Sequence, residues 1–358
     1  MQRRLARGYQ QAVETEAMSV GSRRRPTSFD VAERAGVSQP TVSRALSGSP
    51  AIAEATRRKV IEAAEALGYF VDERAARLRR GSTGTLAVVV ICREGDSASS
   101  INPFAYALLG SVCVAASERG FETLVSFQAS PDAFFGHYQE QGRADGLVVI
   151  GTTTNAPAWE YFRALDSEGR KVAYWGSPFD DLDWVRSDNH AAGRLAVEHL
   201  LGQGYRRPCF LGALNTPQVQ FTERYEGYAE AMRAAGLEPC LAPTVNVATR
   251  EEEGRRAARR LIERGEDVDA VFAACDAMAL GALVAFASAD IAVPQAVGVM
   301  GFDDLVAGRF SRPPLTTIAP DPAEAGAALV EAVLDEEGNK ARRRVPVKLI
   351  VRGSTARS

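Results

Sequence analysis

The sequence predicts a two-part protein, with a small all-α head joined to a larger α/β body of parallel, doubly wound sheets. Three observations carry this. Residues 28–69 keep helical spacing throughout. From Thr85 onward, short apolar runs alternate with helical segments. At 358 residues the chain also exceeds what one ordinary core serves, so more than one domain is expected.

The head reads as three short helices. The first covers about Ser28 to Ala35, with Val31, Ala32 and Ala35 facing inward. Gly36 suits the left-handed position that ends a helix, and Ser38 suits the N-cap of the next. That second helix carries Val42 and Leu46 on its buried side, and Ser47-Gly48-Ser49-Pro50 interrupts the pattern. A third helix, about Ala53 to Leu67, buries Val60, Ala63, Ala64 and Leu67 before Gly68. Residues 72–80 are rich in arginine yet keep helical spacing, with Ala75, Ala76 and Leu78 among the arginines.

In the body, the runs at 86–91, 146–150, 171–175, 208–211, 270–274 and 297–300 are apolar enough to be strands buried on both faces. Helical segments at 104–119, 191–203, 222–236, 250–264 and 276–289 lie between them. Such alternation implies a parallel sheet with helices on both sides. There are about twice as many units as one such sheet needs, so two similar lobes are expected.

Composition narrows the function. Apolar residues make up 46% and charged residues 24%, an ordinary globular mix. No apolar run approaches the roughly 18 residues of a membrane span. Residues 1–25 are arginine-rich and lack the apolar centre of a secretory signal, so they are expected to form a mobile tail on a cytoplasmic protein. The five cysteines, Cys92, Cys113, Cys209, Cys240 and Cys275, have no metal-ligand spacing and are expected to be reduced, structural thiols; no metal or other cofactor is expected. The net charge of −3 conceals an asymmetry: residues 1–82 hold fifteen Arg and Lys against nine Asp and Glu. A basic head on an acidic body suits a head that meets a polyanion.

The head also has the pattern for reading DNA. Two helices joined by Gly36-Val37-Ser38 present the second to a major groove, N-terminal residues foremost. Opposite its buried side lie Gln39, Pro40, Ser43 and Arg44. Gln pairs with adenine edges and Arg with guanine, while Ser38, Thr41 and Ser43 supply hydroxyls to phosphates. Pro40 has no amide hydrogen, so its contact would be apolar.

At these residues the chain resembles the lac/gal repressor family. The likeness runs through Phe29–Leu46, Thr56–Val60, Ala66–Tyr69 and Ala75–Arg79, then Asn102-Pro103-Phe104, Ser187-Asp188-Asn189, Arg224–Tyr228, Asp276–Gly281, Gly301–Asp304 and Pro313–Thr317, in the family's order. It implies a head over 26–71 and a hinge helix and linker over 72–82. It also implies a two-lobed, periplasmic-binding-protein-like core over 83–358, with one lobe at about 84–186 plus 320–345 and the other at about 187–319 plus 346–356. In the hinge, Leu78 falls where the family places a leucine that wedges into the central minor-groove step, and its flanking arginines, Arg77, Arg79 and Arg80, suit a kinked minor groove. In the core, Arg224 and Asp303 match residues that hold the effector. Asn102 and Asp276 sit at the mouths of other strands, and Phe104 and Trp175 offer faces for a sugar ring. The implied protein is a homodimeric regulator on a near-palindromic operator, most simply a repressor answering to a sugar, with a nucleobase as the alternative effector. No tetramer is expected, since no leucine heptad follows the core.

Four departures from the family's pattern stand out: Cys275 before Asp276, Gly176-Ser177-Pro178 after the third strand, a long loop at Arg93–Ile101, and Ala53 in place of a hydroxylated cap. Two other functions fit the sequence poorly. A periplasmic solute-binding protein would need a secretory signal and no helix-turn-helix. An enzyme would need a phosphate loop, nucleophile elbow or metal spacing that the sequence lacks; of its three histidines, His137, His190 and His199, the last two lie on a helix and suit surface or structural roles.

Overall fold

The computed structural model describes residues 24, 26–70, 81–93, 101–151, 155–214, 219–243, 249–335 and 342–357. The expected tail apart from Arg24, the hinge with Leu78 and Arg79, and most of the loop after Arg93 lie outside the described residues. The chain divides into two compact units at Gly81 and Ser82.

The first unit is a three-helix head: α1 Ser28–Ala35, α2 Gln39–Leu46 and α3 Glu54–Leu67. Helix α1 starts with a capping box, in which Thr27 accepts from the Asp30 amide and Asp30 accepts from the Thr27 amide. It ends at Gly36, whose φ of 65° is left-handed. Ser38 caps α2 by accepting from the Thr41 amide, and Pro40 falls in the first turn, where its missing N–H costs nothing. Helix α3 has Ala53 at its N-cap position and so no side-chain cap. The core is Val31, Ala32, Val42, Ala45, Val60, Ala63 and Ala64. One expectation is corrected here: Ala45, not Leu46, is the fully buried partner of Val42. Residues three and four apart share a helix face; the small Ala45 sits in the core, while Leu46 packs half-buried against it.

The second unit holds two six-stranded sheets. Lobe 1 contains β1 Thr85–Ile91, α4 Pro103–Glu118, β2 Glu122–Gln128, β3 Gly146–Gly151, α5 Ala156–Ser167, β4 Val172–Trp175 and β5 Trp184–Ser187. Lobe 2 contains α6 Asn189–Gly202, β6 Pro208–Leu211, α7 Val219–Ala234, β7 Cys240–Leu241, α8 Arg250–Glu263, β8 Ala270–Ala273, α9 Asp276–Ser288, β9 Gly298–Phe302, the short α10 Val306–Arg309 and β10 Thr316–Pro320. The chain then returns to lobe 1 with α11 Pro322–Leu334 and β11 Arg342–Val345, and ends in lobe 2 with β12 Val347–Ile350.

The strand orders are β11-β5-β4-β3-β1-β2 and β12-β10-β9-β8-β6-β7. Each repeats one doubly wound topology, and every pairing is parallel except β10 with β12. In such sheets the crevice for a ligand opens beyond the C-terminal strand ends, where the winding reverses. That point lies between β1 and β3 in one lobe and between β6 and β8 in the other. A second correction concerns the cysteines. Cys209 and Cys240, expected as free thiols, are disulfide-bonded. They are register partners on the adjacent strands β6 and β7. Cys113 and Cys275 are free thiols.

Candidate functional site

On the head, Pro40, Ser43 and Arg44 are exposed on the outer side of α2. The remaining expected contacts are partly engaged within the protein. Ser38 Oγ and Thr41 Oγ1 are 2.8 Å apart, and the Gln39 amide donates to Ser28 Oγ at 3.2 Å. That bond draws the first turns of α1 and α2 together. Helix N-termini carry unpaired N–H groups and partial positive charge, which suits phosphate.

In the body, strand ends of both lobes enclose a cavity of about 140 Å³. Ile91 and Gly151 line it from β1 and β3, and Trp175 from the end of β4. Lobe 2 contributes Phe221 and Arg224 from α7, Cys275 ahead of α9, and Phe302 and Asp303 from the end of β9. Asn102, Phe104, Trp175, Arg224 and Asp303, all anticipated from the sequence, therefore come together here. Phe104 and Trp175 form one wall, with ring centroids 5.4 Å apart.

Arg224 is the central polar group. It is 6% exposed. Its Nε donates to Asn189 Oδ1 at 3.0 Å and its Nη1 to the Ala274 carbonyl at 2.6 Å. The guanidinium lies 3.4 Å from the centroid of Phe302. Burial pulls its pKa down to about 10, against the attraction of Asp303. Asp303 takes an unusual backbone conformation, φ 118°. Burial pushes its carboxyl up to about 7, opposed by Arg224 and by a hydrogen bond from Asn102. The Asn102 side chain also caps α4 by accepting from the Phe104 amide at 2.9 Å. Burial raises the Cys275 thiol to about 12, so it is protonated and unreactive at neutral pH.

Asp276 is a correction. Expected at the mouth of the cleft, it is fully buried and does not line the cavity. Thr317 Oγ1 donates to one oxygen at 2.6 Å and the Leu305 amide to the other at 2.8 Å. Its carboxylate thus joins α9 to the segments after β9 and in β10. Several cavity residues escaped the sequence reading: Arg186, Asn189, Gln220, Phe221, Arg250 and Phe302. Ser187-Asp188-Asn189 was a visible motif, but nothing in its spacing shows that Asn189 meets Arg224, 35 residues away.

Comparison with known proteins gives the family. Residues 29–71 match the family described as bacterial regulatory proteins, lacI family, and residues 197–355 match a periplasmic binding protein-like domain. The chain is 34% identical over 304 residues to the HTH-type transcriptional regulator CelR of Thermobifida fusca, covering 83% of this chain and 87% of that one. The chain belongs to the lacI family. This lacI-family protein is also 31% identical to the ribose operon repressor of Escherichia coli (strain K12), over 86% of this chain and 92% of that one. Among solved structures it resembles a CelR–cellobiose complex, with 31% identity, a TM-score of 0.66, and 92% and 100% of the two chains covered. The lac repressor dimer bound to operator and an anti-inducer shares its fold, with a TM-score of 0.77 over 93% and 100% of the chains at 23% identity. Head, two-lobed body and relatives agree: this is a DNA-binding transcription regulator, not an enzyme. Among the described residues, no helix is long and apolar enough to cross a membrane.

Proposed function

We propose that this lacI-family regulator is a cytoplasmic, homodimeric repressor of carbohydrate-utilisation genes whose grip on a near-palindromic operator is set by a sugar held between its lobes. The observation that carries the reading is that the buried Arg224 and the Asp303 carboxyl that attracts it line one cavity with aromatic walls. A forked donor, a carboxylate acceptor and apolar ring faces together match a ring that carries hydroxyls. The relatives support the same class, because a chain 31% identical to this one is known as a complex with cellobiose.

On DNA, Gln39 and Arg44 face base edges, Pro40 offers an apolar contact, and Ser38, Thr41 and Ser43 supply hydroxyls to phosphates. Leu78 and Arg79 serve the hinge. One short helix gives too little contact for a unique genomic site, so two heads related by a two-fold axis read two half-sites.

A thermal-shift panel of cellobiose, ribose, glucose, adenine, hypoxanthine and cytidine tests the effector class. A ligand at 100 times its Kd adds about 2.7 kcal/mol of stability. One of the sugars should raise the Tm. A rise with a base or nucleoside and with none of the sugars would contradict the reading.

A further inference from the structure

We infer that Glu223 is a positioning residue that fixes Arg224 and ties it to the two lobe 1 strands from which the chain crosses into lobe 2. Glu223 precedes Arg224 on α7, and its side chain is 11% exposed. One carboxylate oxygen accepts from Arg186 on β5 at 3.3 Å and from Arg344 on β11 at 2.9 Å. The other accepts from the Asn189 amide at 2.7 Å. Asn189 in turn presents its oxygen to Arg224 Nε at 3.0 Å. A continuous polar chain therefore runs from the cavity arginine to both crossover strands.

Four features give this polar chain its direction. Arg186 and Arg344 are register partners on adjacent parallel strands, so two guanidiniums sit side by side. Both lie against the Trp184 ring, at 4.2 and 5.6 Å. Glu223 supplies negative charge to both from the opposite lobe, while Asp180, 2.9 Å from Arg186, is 79% exposed and screened by water. The Asn189 amide satisfies both neighbours in one orientation only, with NH₂ toward the carboxylate and oxygen toward the guanidinium. The carboxylate thus sets the amide, and the amide sets the plane of Arg224 over Phe302. An amide at 223 offers one acceptor atom where three donors converge, so its NH₂ must face either Asn189 or an arginine.

The inference rests on the reading that Arg224 contacts the effector, and its test separates the two. Glu223→Gln, Arg344→Ala and the double variant are prepared as full chains. Arg344 is 42% exposed, so its removal leaves no large buried void and Glu223 keeps Arg186. Cellobiose affinity is measured by calorimetry, and hydrogen exchange over residues 184–190 and 219–226 is followed without sugar. Glu223→Gln should weaken cellobiose binding roughly tenfold or more, as loss of charge-assisted hydrogen bonds does. It should also speed exchange in both segments. Arg344→Ala should act in the same direction by a smaller factor, and the double variant should be no worse than Glu223→Gln alone. Unchanged exchange in residues 184–190, or affinity losses that simply multiply, would overturn the inference. If the unaltered protein gives no heat with cellobiose, the effector reading has lost that sugar, and the exchange data alone decide the role of Glu223.

Discussion

Head and body place their polar residues in opposite ways. In the head, a core of seven small or β-branched residues leaves Pro40, Ser43 and Arg44 outside. In the body, Arg186, Asn189, Glu223, Arg224 and Asp276 are buried and bonded to one another or to backbone. An exposed polar face recognises a partner that arrives from solvent and brings its own counter-charge. A buried network has to be satisfied before any ligand comes, so each of its members is tied to fold as well as to function. The same substitution therefore carries different meanings in the two units.

The largest effect is expected in the body. Arg224→Ala removes a forked cationic donor from the cavity wall, and hydrogen bonds to charged groups contribute about 1.5–3 kcal/mol each. Sugar affinity should fall at least roughly 100-fold, while operator binding without sugar stays near that of the parent. Loss of folding in this variant, seen by circular dichroism, would mean that Arg224 serves structure first.

Next come the buried Asp276 and the half-buried Asp303, which separate structural from ligand-facing polarity. Asp276→Ala leaves the Leu305 amide and the Thr317 hydroxyl without their partner, and each unsatisfied buried group costs about 1–3 kcal/mol. Its Tm should drop. Asp303→Ala should lower sugar affinity and leave the Tm nearly unchanged. If the two variants traded these outcomes, the assignment of roles would be reversed.

On the head, Arg44→Ala should cost about 1–3 kcal/mol of operator affinity and relax preference at one base position per half-site. An equal loss on every DNA sequence, measured over a substituted operator library, would reduce Arg44 to a phosphate contact.

The smallest effect is a pH dependence. Asp303 and Asp276 are raised to about 7 and about 6, above the ordinary carboxylate value, because burial disfavours their charge. Their stabilising contribution is full at low pH and is lost as pH rises through those values. The sugar-free body should therefore lose stability as pH rises from about 4, the ordinary carboxylate value, to about 7. A sugar hydroxyl donating to Asp303 favours the ionised form, so binding near pH 7 should release protons. Titrations in two buffers of different ionisation enthalpy measure this, and Asp303→Asn should abolish the release.

The head was almost fully legible because its signals are local: Gly36, Ser38 and the apolar spacing all act within a few residues. Only the choice between Ala45 and Leu46 needed the third helix. In the body, strands buried on both faces announced themselves as apolar runs. Strand β2 did not, since Glu122–Gln128 is a half-exposed edge, nor did β11, which opens with three exposed arginines. Residues 122–128, 156–167 and 322–334 carry elements that the sequence reading did not pick out. The cleft was legible where the resemblance to the family marks a residue, as at Arg224 and Asp303. It was illegible where pairing is long-range: Asn189 with Arg224, Glu223 with Arg344, Cys209 with Cys240, and the two bonds that keep Asp276 out of the cleft.

The central claim is that the body's cleft and the head's DNA face share one free-energy coupling. Calorimetry of cellobiose, or of whichever sugar the thermal-shift panel selects, is performed on the dimer with and without saturating operator. A coupling of roughly 1–3 kcal/mol changes affinity about 5- to 150-fold, and reciprocity requires the same factor when the sugar is held saturating and the operator is titrated. Two matching factors in that range are the expected result. Identical sugar affinities with and without operator would contradict the account.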